Sequence, residues 1–401
     1  MHVPGWHERT KTLQEDGELQ MLGIVQEQNP DRAALFMQWK QMTWPILVDT
    51  FDLLEVSVVP LTYAIDEHGI VRRAGLRLKD AETIREDFVE RDFTAPETLQ
   101  PAPVDELADT PANRGERALA IRAIRRPEQI DGVVEEFAQR VQRDPANGWA
   151  HFRLGAAHRL RHDSAQRRSD DFQRAVDHWQ RALELDPNNY IWRRRIQQYG
   201  PRLDKPYPFY DWVERARREI LDRGDQPVQL VVEPTGSEIA QPTKGGATTP
   251  QAPSTHPDPE ARVRLDGTGD PDGPLIHIET TAVPARIPPG GTTRVHLAFR
   301  PDNSQLAHWN NEVEPLRVWL ELPDGWSAEA RLLTAPHPTD AAVSSEARHL
   351  EAELTAPESD ARSEGGAKPS AVALYYVCED VDGTCLYRRQ VVELDVAVEG
   401  N

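Results

Sequence analysis

The chain reads as a multidomain protein: an α/β region over residues 1–95, an α-helical repeat region over 114–227 and an all-β sandwich over 273–401. Three observations predict this. Short apolar runs alternate with helix-like segments at the N-terminus, the pattern of a mixed sheet flanked by helices. The centre carries small and aromatic residues at helical spacing in two comparable segments. The last third is a series of short runs separated by turns rich in proline and glycine. Residues 96–113 are proline-rich and acidic, and residues 228–272 are poor in apolar residues and rich in Pro, Thr, Gly and Gln. Both read as linkers.

In the first region, Trp6 to Glu15 forms a helix, and Leu19 to Val25 is an apolar run short enough for a buried parallel strand. A helix begins at Pro30 and runs to Lys40, with Leu35, Phe36 and Trp39 at helical spacing and Asn29 as its cap. Trp44 to Asp49 is the next strand, and Leu53 to Val56 a short helix or turn. Pro60–Ile65 and Ile70–Ala74 pair through the turn Asp66-Glu67-His68-Gly69. In the central region Leu154, Gly155, Ala175, Trp179, Ala182 and Pro187 mark one repeat, and Phe137 and Pro145 an earlier half. The polar stretch from Arg161 to Asp170 is an extended inter-helix loop. Repeats bury their faces only against neighbours, so Pro201 to Leu221 should supply a capping helix sealed by Tyr207, Phe209, Tyr210 and Trp212. Strands are expected at Leu275–Glu279, Arg294–Phe299, Leu316–Leu322, His349–Leu354, Ala371–Val377 and Gln390–Val398, with Trp309, Trp319 and Trp326 in the core.

Composition limits the functions. The formal net charge is -20 and the pI about 5.1, which argues against a nucleic-acid surface, because phosphate binding needs clustered cations. Lysine is scarce beside arginine, a bias that GC-rich coding and salt adaptation would each produce. No apolar run approaches a membrane span. No secretory signal opens the sequence, so the expected compartment is cytoplasmic as written. Two cysteines cannot make a disulfide-rich scaffold. No metal site and no cofactor is expected: the sequence has no glycine-rich phosphate loop, no H-E-x-x-H and no G-x-S-x-G. His308 and Glu312 lack metal-ligand spacing. The acidic stretch Glu379–Thr384 lacks the full oxygen register of a calcium loop.

Three segments carry resemblances. Val58-Val59-Pro60-Leu61-Thr62-Tyr63-Ala64-Ile65-Asp66-Glu67-His68-Gly69-Ile70-Val71-Arg72 resembles the second half of a thioredoxin-like domain of the redoxin type (alkyl hydroperoxide reductase/thiol-specific antioxidant and thiol-disulfide oxidoreductases). The resemblance implies a cis Pro60 that, with Val59, shapes the substrate-facing backbone. It also implies a thiolate at a helix N-terminus, where backbone N–H groups lower its pKa. Residues 1–95 contain no cysteine. Val3-Pro4-Gly5-Trp6 looks like the proline segment within the cysteine-bearing helix of those relatives, which would put the cysteines and the first strand before Met1. Two readings stay open: a start lying further upstream, with the redox site and with export or a membrane anchor in the missing segment, or a degenerate relative. A domain without its first strand would expose a sheet edge. The loop from Gln26 to Arg32 follows a strand end, where functional loops sit. It either caps the next helix or places Glu27 and Arg32 on a substrate-facing rim.

The central spacing is similar to tetratricopeptide repeats, which implies a protein partner held by the helices. Tyr375-Tyr376-Val377-Cys378 and Gly383-Thr384-Cys385-Leu386-Tyr387 resemble the cysteine hairpin of the immunoglobulin-like domain of thiol:disulfide interchange proteins, with spacing about one residue longer. A cross-hairpin disulfide is geometrically feasible. Cys378 and Cys385 are therefore the candidate redox pair, against a stabilising disulfide or two reduced core thiols. The order of domains suggests a redoxin-family protein handling a thiol or disulfide protein substrate. The alternative is a non-catalytic interaction scaffold on a degenerate thioredoxin-like fold.

Overall fold

The structure, a computed structural model, describes residues 2–56, 59–95, 111–202, 209–234, 238–239, 274–338, 341–358, 368–379 and 383–399. Val58, Tyr207, most of both expected linkers and Asp380–Asp382 lie outside the described residues. The chain is a multidomain protein of helices and several open sheets. It divides into two compact units. The first comprises Met1–Arg168, Arg181–Arg195 and Phe209–Pro234, and the second Ser169–Gln180, Ile196–Pro208 and Thr235–Asn401.

The first unit begins with α1 (His2–Glu15), β1 (Gly23–Val25), α2 (Pro30–Lys40), β2 (Ile46–Val48), β3 (Tyr63–Ile65) and β4 (Val71–Ala74). Pro30 opens α2 where a missing N–H is harmless, Asp31 sits in its first turn and Lys40 in its last, and Gln41 closes it in the left-handed region at φ 51. Strands β1 and β2 pair in parallel, Ile24 opposite Leu47. β3 and β4 pair antiparallel across a turn that Asp66 organises: its carboxylate accepts the N–H groups of His68 (2.9 Å) and Ile70 (2.8 Å), and Gly69 takes φ 79. Side-chain alternation then decides burial. Ala64 packs with Trp6, Leu13, Trp44, Leu76 and Phe88, while Ile24, Leu47, Tyr63, Ile65 and Val71 stay exposed on the opposite faces. The expectation of a buried parallel strand is therefore corrected: β1 and β2 form a two-stranded sheet covered on one face only.

The helical part comprises α3 (Pro111–Arg125), α4 (Ile130–Arg143), α5 (Gly148–His162), α6 (Asp171–Leu185), α7 (Tyr190–Gln197) and α8 (Val213–Asp222). Asn147 caps α5 through its side chain, which accepts the Ala150 N–H at 3.0 Å. Leu119, Ala120, Ile130, Val133, Phe137 and Leu154 form a core into which Phe51, from the loop after β2, inserts; its ring stacks on Phe137 at 5.8 Å. The connection between α5 and α6 spans residues 163–170 and begins later than the spacing predicts: Arg161 and His162 lie in the last turn of α5, buried and paired, Arg161 with Asp131 at 2.7 Å. The last helix, α8, does not cap the repeat. Its Val213, Ala216 and Ile220, with Tyr210, pack on Leu35 and Trp39 of α2, and Trp212 stacks on Trp39 at 5.7 Å.

The second unit is built on β5 (Ile276–Val283), β6 (Arg286–Ile287), β7 (Thr292–Pro301), β8 (His308–Asn310), β9 (Leu316–Glu321), β10 (Ser327–Ala328), β11 (Leu332–Ala335), β12 (Val343–Ser344), β13 (Arg348–Thr355), β14 (Ser370–Cys378), β15 (Cys385–Glu393) and β16 (Ala397–Val398). One four-stranded sheet runs β10-β13-β7-β5. A six-stranded sheet runs β11-β9-β14-β8-β12, with β15 also paired to β14. Ile276, Leu297, Phe299 and Leu354 of the first sheet share a single core with Trp309, Val318, Leu320 and Val377 of the second. Trp309 is fully buried and donates its Nε1–H to the Glu346 carbonyl at 2.8 Å. Trp326 packs at the core margin. Trp319 alternates with the buried Val318 and Leu320, so it falls on the other face of β9.

Candidate functional site

Two places gather chemistry-bearing side chains. The first lies at the carboxyl ends of the parallel strands β1 and β2, where open α/β sheets commonly bind ligands. The loops after the strands, 26–29 and 49–52, are tied together: the Asp49 N–H donates to the Val25 carbonyl at 2.8 Å, Thr50 Oγ1 to the Glu27 carbonyl at 2.9 Å, and Gln26 Nε2 to Asp52 Oδ1 at 3.1 Å. Helical residues close over them. Arg195 donates to the Gln28 amide oxygen. Arg153 bonds to the Phe51 carbonyl at 3.4 Å and pairs with Glu55 at 3.0 Å and with Glu116.

Glu27 and Arg32 are buried here, not on a rim. The Glu27 carboxylate accepts the backbone N–H groups of Gln28 (2.7 Å) and Asn29 (3.1 Å) and the hydroxyl of Tyr210. These N–H groups precede α2; within its first turn the Arg32 N–H goes to the Asn29 carbonyl (3.2 Å) and to Asp31 Oδ1 (3.1 Å), and the Asn29 side chain makes no cap bond. Arg32 lies over the Tyr210 ring at 4.3 Å and donates to the Val232 carbonyl at 3.2 Å. Sequence reasoning placed this loop but missed Asp52, Arg153 and Arg195, which meet only through tertiary packing. Asp52 is fully buried, sits at φ 50, and leaves Oδ2 without a hydrogen-bond partner among the described residues. Burial pushes its carboxyl up to about 7, with the neighbouring Asp49 charge adding to the shift. Gln28 Nε2 and Asn29 Nδ2 are likewise buried and unpartnered. A small cavity of about 160 Å³ lies beside Arg153, lined by Leu53, Leu54, Glu55, Glu116 and Arg117. The arrangement is a closed, charge-paired joint with room for a few waters.

Val59 and Pro60 stand apart from this joint. Both are exposed, and the bond between them is cis. Residues 1–95 contain no cysteine to stand beside Pro60.

The second place is the end of the β14–β15 hairpin. Cys378 and Cys385 are directly opposed in register and joined as a disulfide, with Cα atoms 3.9 Å apart. Cys378 is buried while Cys385 is exposed; as directly opposed residues they share one face of the sheet, by alternation the face of Tyr376 and not that of the core-lining Val377. Tyr376 and Tyr387 lie two pairs further along on the same face, ring centroids 4.8 Å apart. Nearby, His308 occupies the position on β8 opposite Cys378, its Nδ1 near the Leu306 carbonyl. Among the described residues no group of three or more His, Cys, Asp and Glu side chains is placed to hold a metal, and no helix is long and apolar enough to cross a membrane.

No family model matches the chain, and no curated protein matches it. Among solved structures, a structure of AvmM, which catalyses macrocyclization in alchivemycin A biosynthesis, is similar to 32% of this chain and 90% of its own at 14% identity, with a TM-score of 0.17. An overlap that slight carries no argument about fold or function.

Proposed function

We propose that this is a thiol–disulfide redox protein of the redoxin type: a thioredoxin-like region, tetratricopeptide-like helices that hold a protein partner, and an immunoglobulin-like sandwich that bears the reactive pair. The observation that carries the reading is the Cys378–Cys385 disulfide, with one partner exposed. A thiolate of a dithiol protein would attack Cys385 Sγ in line, form a mixed disulfide and expel Cys378 as the thiolate. The partner's second thiol then resolves the mixed disulfide. Two electrons and two protons pass to this chain, and the partner leaves oxidised. The β3–β4 hairpin, the cis bond before Pro60 and the parallel β1–β2 pair are features that the redoxin resemblance implies.

A second reading, a non-catalytic scaffold, has its own support. The loops at the carboxyl ends of β1 and β2 are sealed by Tyr210, Arg153 and Arg195, which leaves a docking body in place of an open substrate cleft. One experiment separates the two. The oxidised chain is mixed with a reduced thioredoxin-type protein, and free thiols at Cys378 and Cys385 are counted by alkylation and mass spectrometry. Rapid, stoichiometric reduction, with a mixed disulfide trapped on Cys385 when the partner lacks its resolving cysteine, supports the redox reading. A bond that resists the dithiol partner while the chain remains folded leaves the scaffold.

A further inference from the structure

We propose that His308 is the acid–base partner of Cys378: its imidazolium lies beside the thiolate that disulfide exchange expels and gives it a proton. Strands β8, β14 and β15 lie side by side. Their register sets three residues in one row, His308 directly opposite Cys378 and Cys378 directly opposite Cys385. Directly opposed residues share a face of the sheet. The adjacent row, Trp309, Val377 and Leu386, packs in the core of the second unit. His308 and the two cysteines therefore look out on the other side. Opposed side chains on neighbouring antiparallel strands start from Cβ atoms about 5 Å apart, within reach of an imidazole. His308 Nδ1 lies 3.2 Å from the Leu306 carbonyl, and a carbonyl only accepts, so Nδ1 carries a hydrogen in either charge state. The second proton comes and goes at Nε2.

The inference rests on the redox reading, in which an incoming thiolate attacks the exposed Cys385 and Cys378 departs. Cys378 is 2% exposed. An anion left there without a counter-charge is opposed by burial, and an adjacent imidazolium offsets that cost. The neighbours do not supply the charge. Glu379 follows Cys378, and Asp380 and Asp382 come next in the sequence; like charges oppose a further anion among them. On the same face the nearest residues along β14 and β15 are the phenols Tyr376 and Tyr387. Beyond β8, β12 brings Val343 and Ser344, neither of them charged. Arg317 and Arg389 share the face, but both pair with Leu374, four residues up β14 from Cys378 and roughly 13 Å away. In the step, the partner's sulfur bonds to Cys385 Sγ. The Sγ–Sγ bond breaks with its electron pair on Cys378, and the Nε2 proton of His308 moves to that sulfur. The partner's second thiolate then attacks the partner sulfur of the mixed disulfide and releases Cys385, which takes a proton from solvent, as His308 does. The chain gains two electrons and two protons, and the partner loses them.

The test compares the full oxidised chain with its His308→Gln and His308→Lys variants. Reduction by a reduced thioredoxin-type protein is timed by alkylation and mass spectrometry from about pH 6 to about pH 9. Rates are taken as the ratio of wild type to variant at each pH, so that titration of the partner's own thiol cancels. Wild type is expected to react about tenfold faster than His308→Gln at the acid end, with the ratio falling toward one as the imidazole loses its proton. His308→Lys keeps its charge at the alkaline end and should outrun wild type there. A second readout needs no partner: the ultraviolet absorbance of thiolate in the reduced chain should rise at lower pH in wild type than in His308→Gln, by about one pH step. If wild type is reduced but the ratio to His308→Gln is the same at every pH, or the thiol titration does not move, the role of His308 is overturned and the redox reading stands. A folded wild type that the dithiol partner fails to reduce at any pH removes the redox reading and this role with it. If His308→Gln does not fold, His308→Thr serves under the same expectations.

Discussion

Replacing Asp52 by asparagine tests how the joint between the strand-end loops and the helices is held. Asp52 is fully buried, its Oδ1 receives Gln26 Nε2 and the Val56 N–H (3.3 Å), and Oδ2 has no partner among the described residues. Burial raises its carboxyl to about 7 from an ordinary 3.8. The folded value exceeds the unfolded one, so the folded state binds the proton more tightly. Stability is highest below pH 4 as far as this group is concerned, falls as pH rises from about 4 to about 7, and is level above. The full linkage is about 4 kcal/mol at about 1.4 kcal/mol per pKa step. Screening near the exposed Leu54 and half-exposed Glu55 reduces it, and about 2 kcal/mol is a realistic expectation. An asparagine at this position would keep the Oδ1 contacts and cannot ionise. Asp52→Asn should therefore match the wild type at pH 4 and exceed it by about 2 kcal/mol at pH 8. Urea unfolding at both pH values, with hydrogen exchange over residues 23–56 to assign the change to the first unit, measures it. A variant less stable than wild type at pH 8, or a difference that does not change with pH, would refute the reasoning.

Other outcomes follow from the same contacts. Tyr210→Phe removes the hydroxyl donor from the buried Glu27 carboxylate and should destabilise the first unit by about 2 kcal/mol, measured by urea unfolding, with the second unit's transition unmoved. Trp309→Ala empties the centre of the second unit's core and strands the Glu346 carbonyl; a loss of about 4 kcal/mol is expected in that unit's thermal or urea transition. Cys378→Ala/Cys385→Ala opens a short loop (sequence separation 7) and should cost about 2 kcal/mol. Wild type unfolded in dithiothreitol should show the same shift. Arg153→Met leaves Glu116 buried against Arg140 alone and withdraws two bonds from the loop after β2. Exchange at 49–56 should quicken and stability drop by about 3 kcal/mol.

Features that depend on near neighbours were legible in the sequence. Proline at the first position of α2, the Asp66–Gly69 turn and the opposed cysteines of the β14–β15 hairpin are local, so spacing and turn chemistry revealed them. Features that depend on which face meets which were settled by packing. Ile24 and Leu47 read as apolar strand residues in the sequence, but which face is covered is set by packing, and both lie on the face left exposed. Asn29 is the expected cap by residue type, yet its side chain makes no cap bond, while Glu27 stays buried holding the Gln28 and Asn29 N–H groups because Tyr210 arrives from far along the chain to donate its hydroxyl. Asp52, Arg153 and Arg195 are unremarkable where they stand in the sequence. Burial makes Asp52 a proton-binding group near neutral pH, and burial is a property of the assembled unit, set by residues roughly a hundred positions apart.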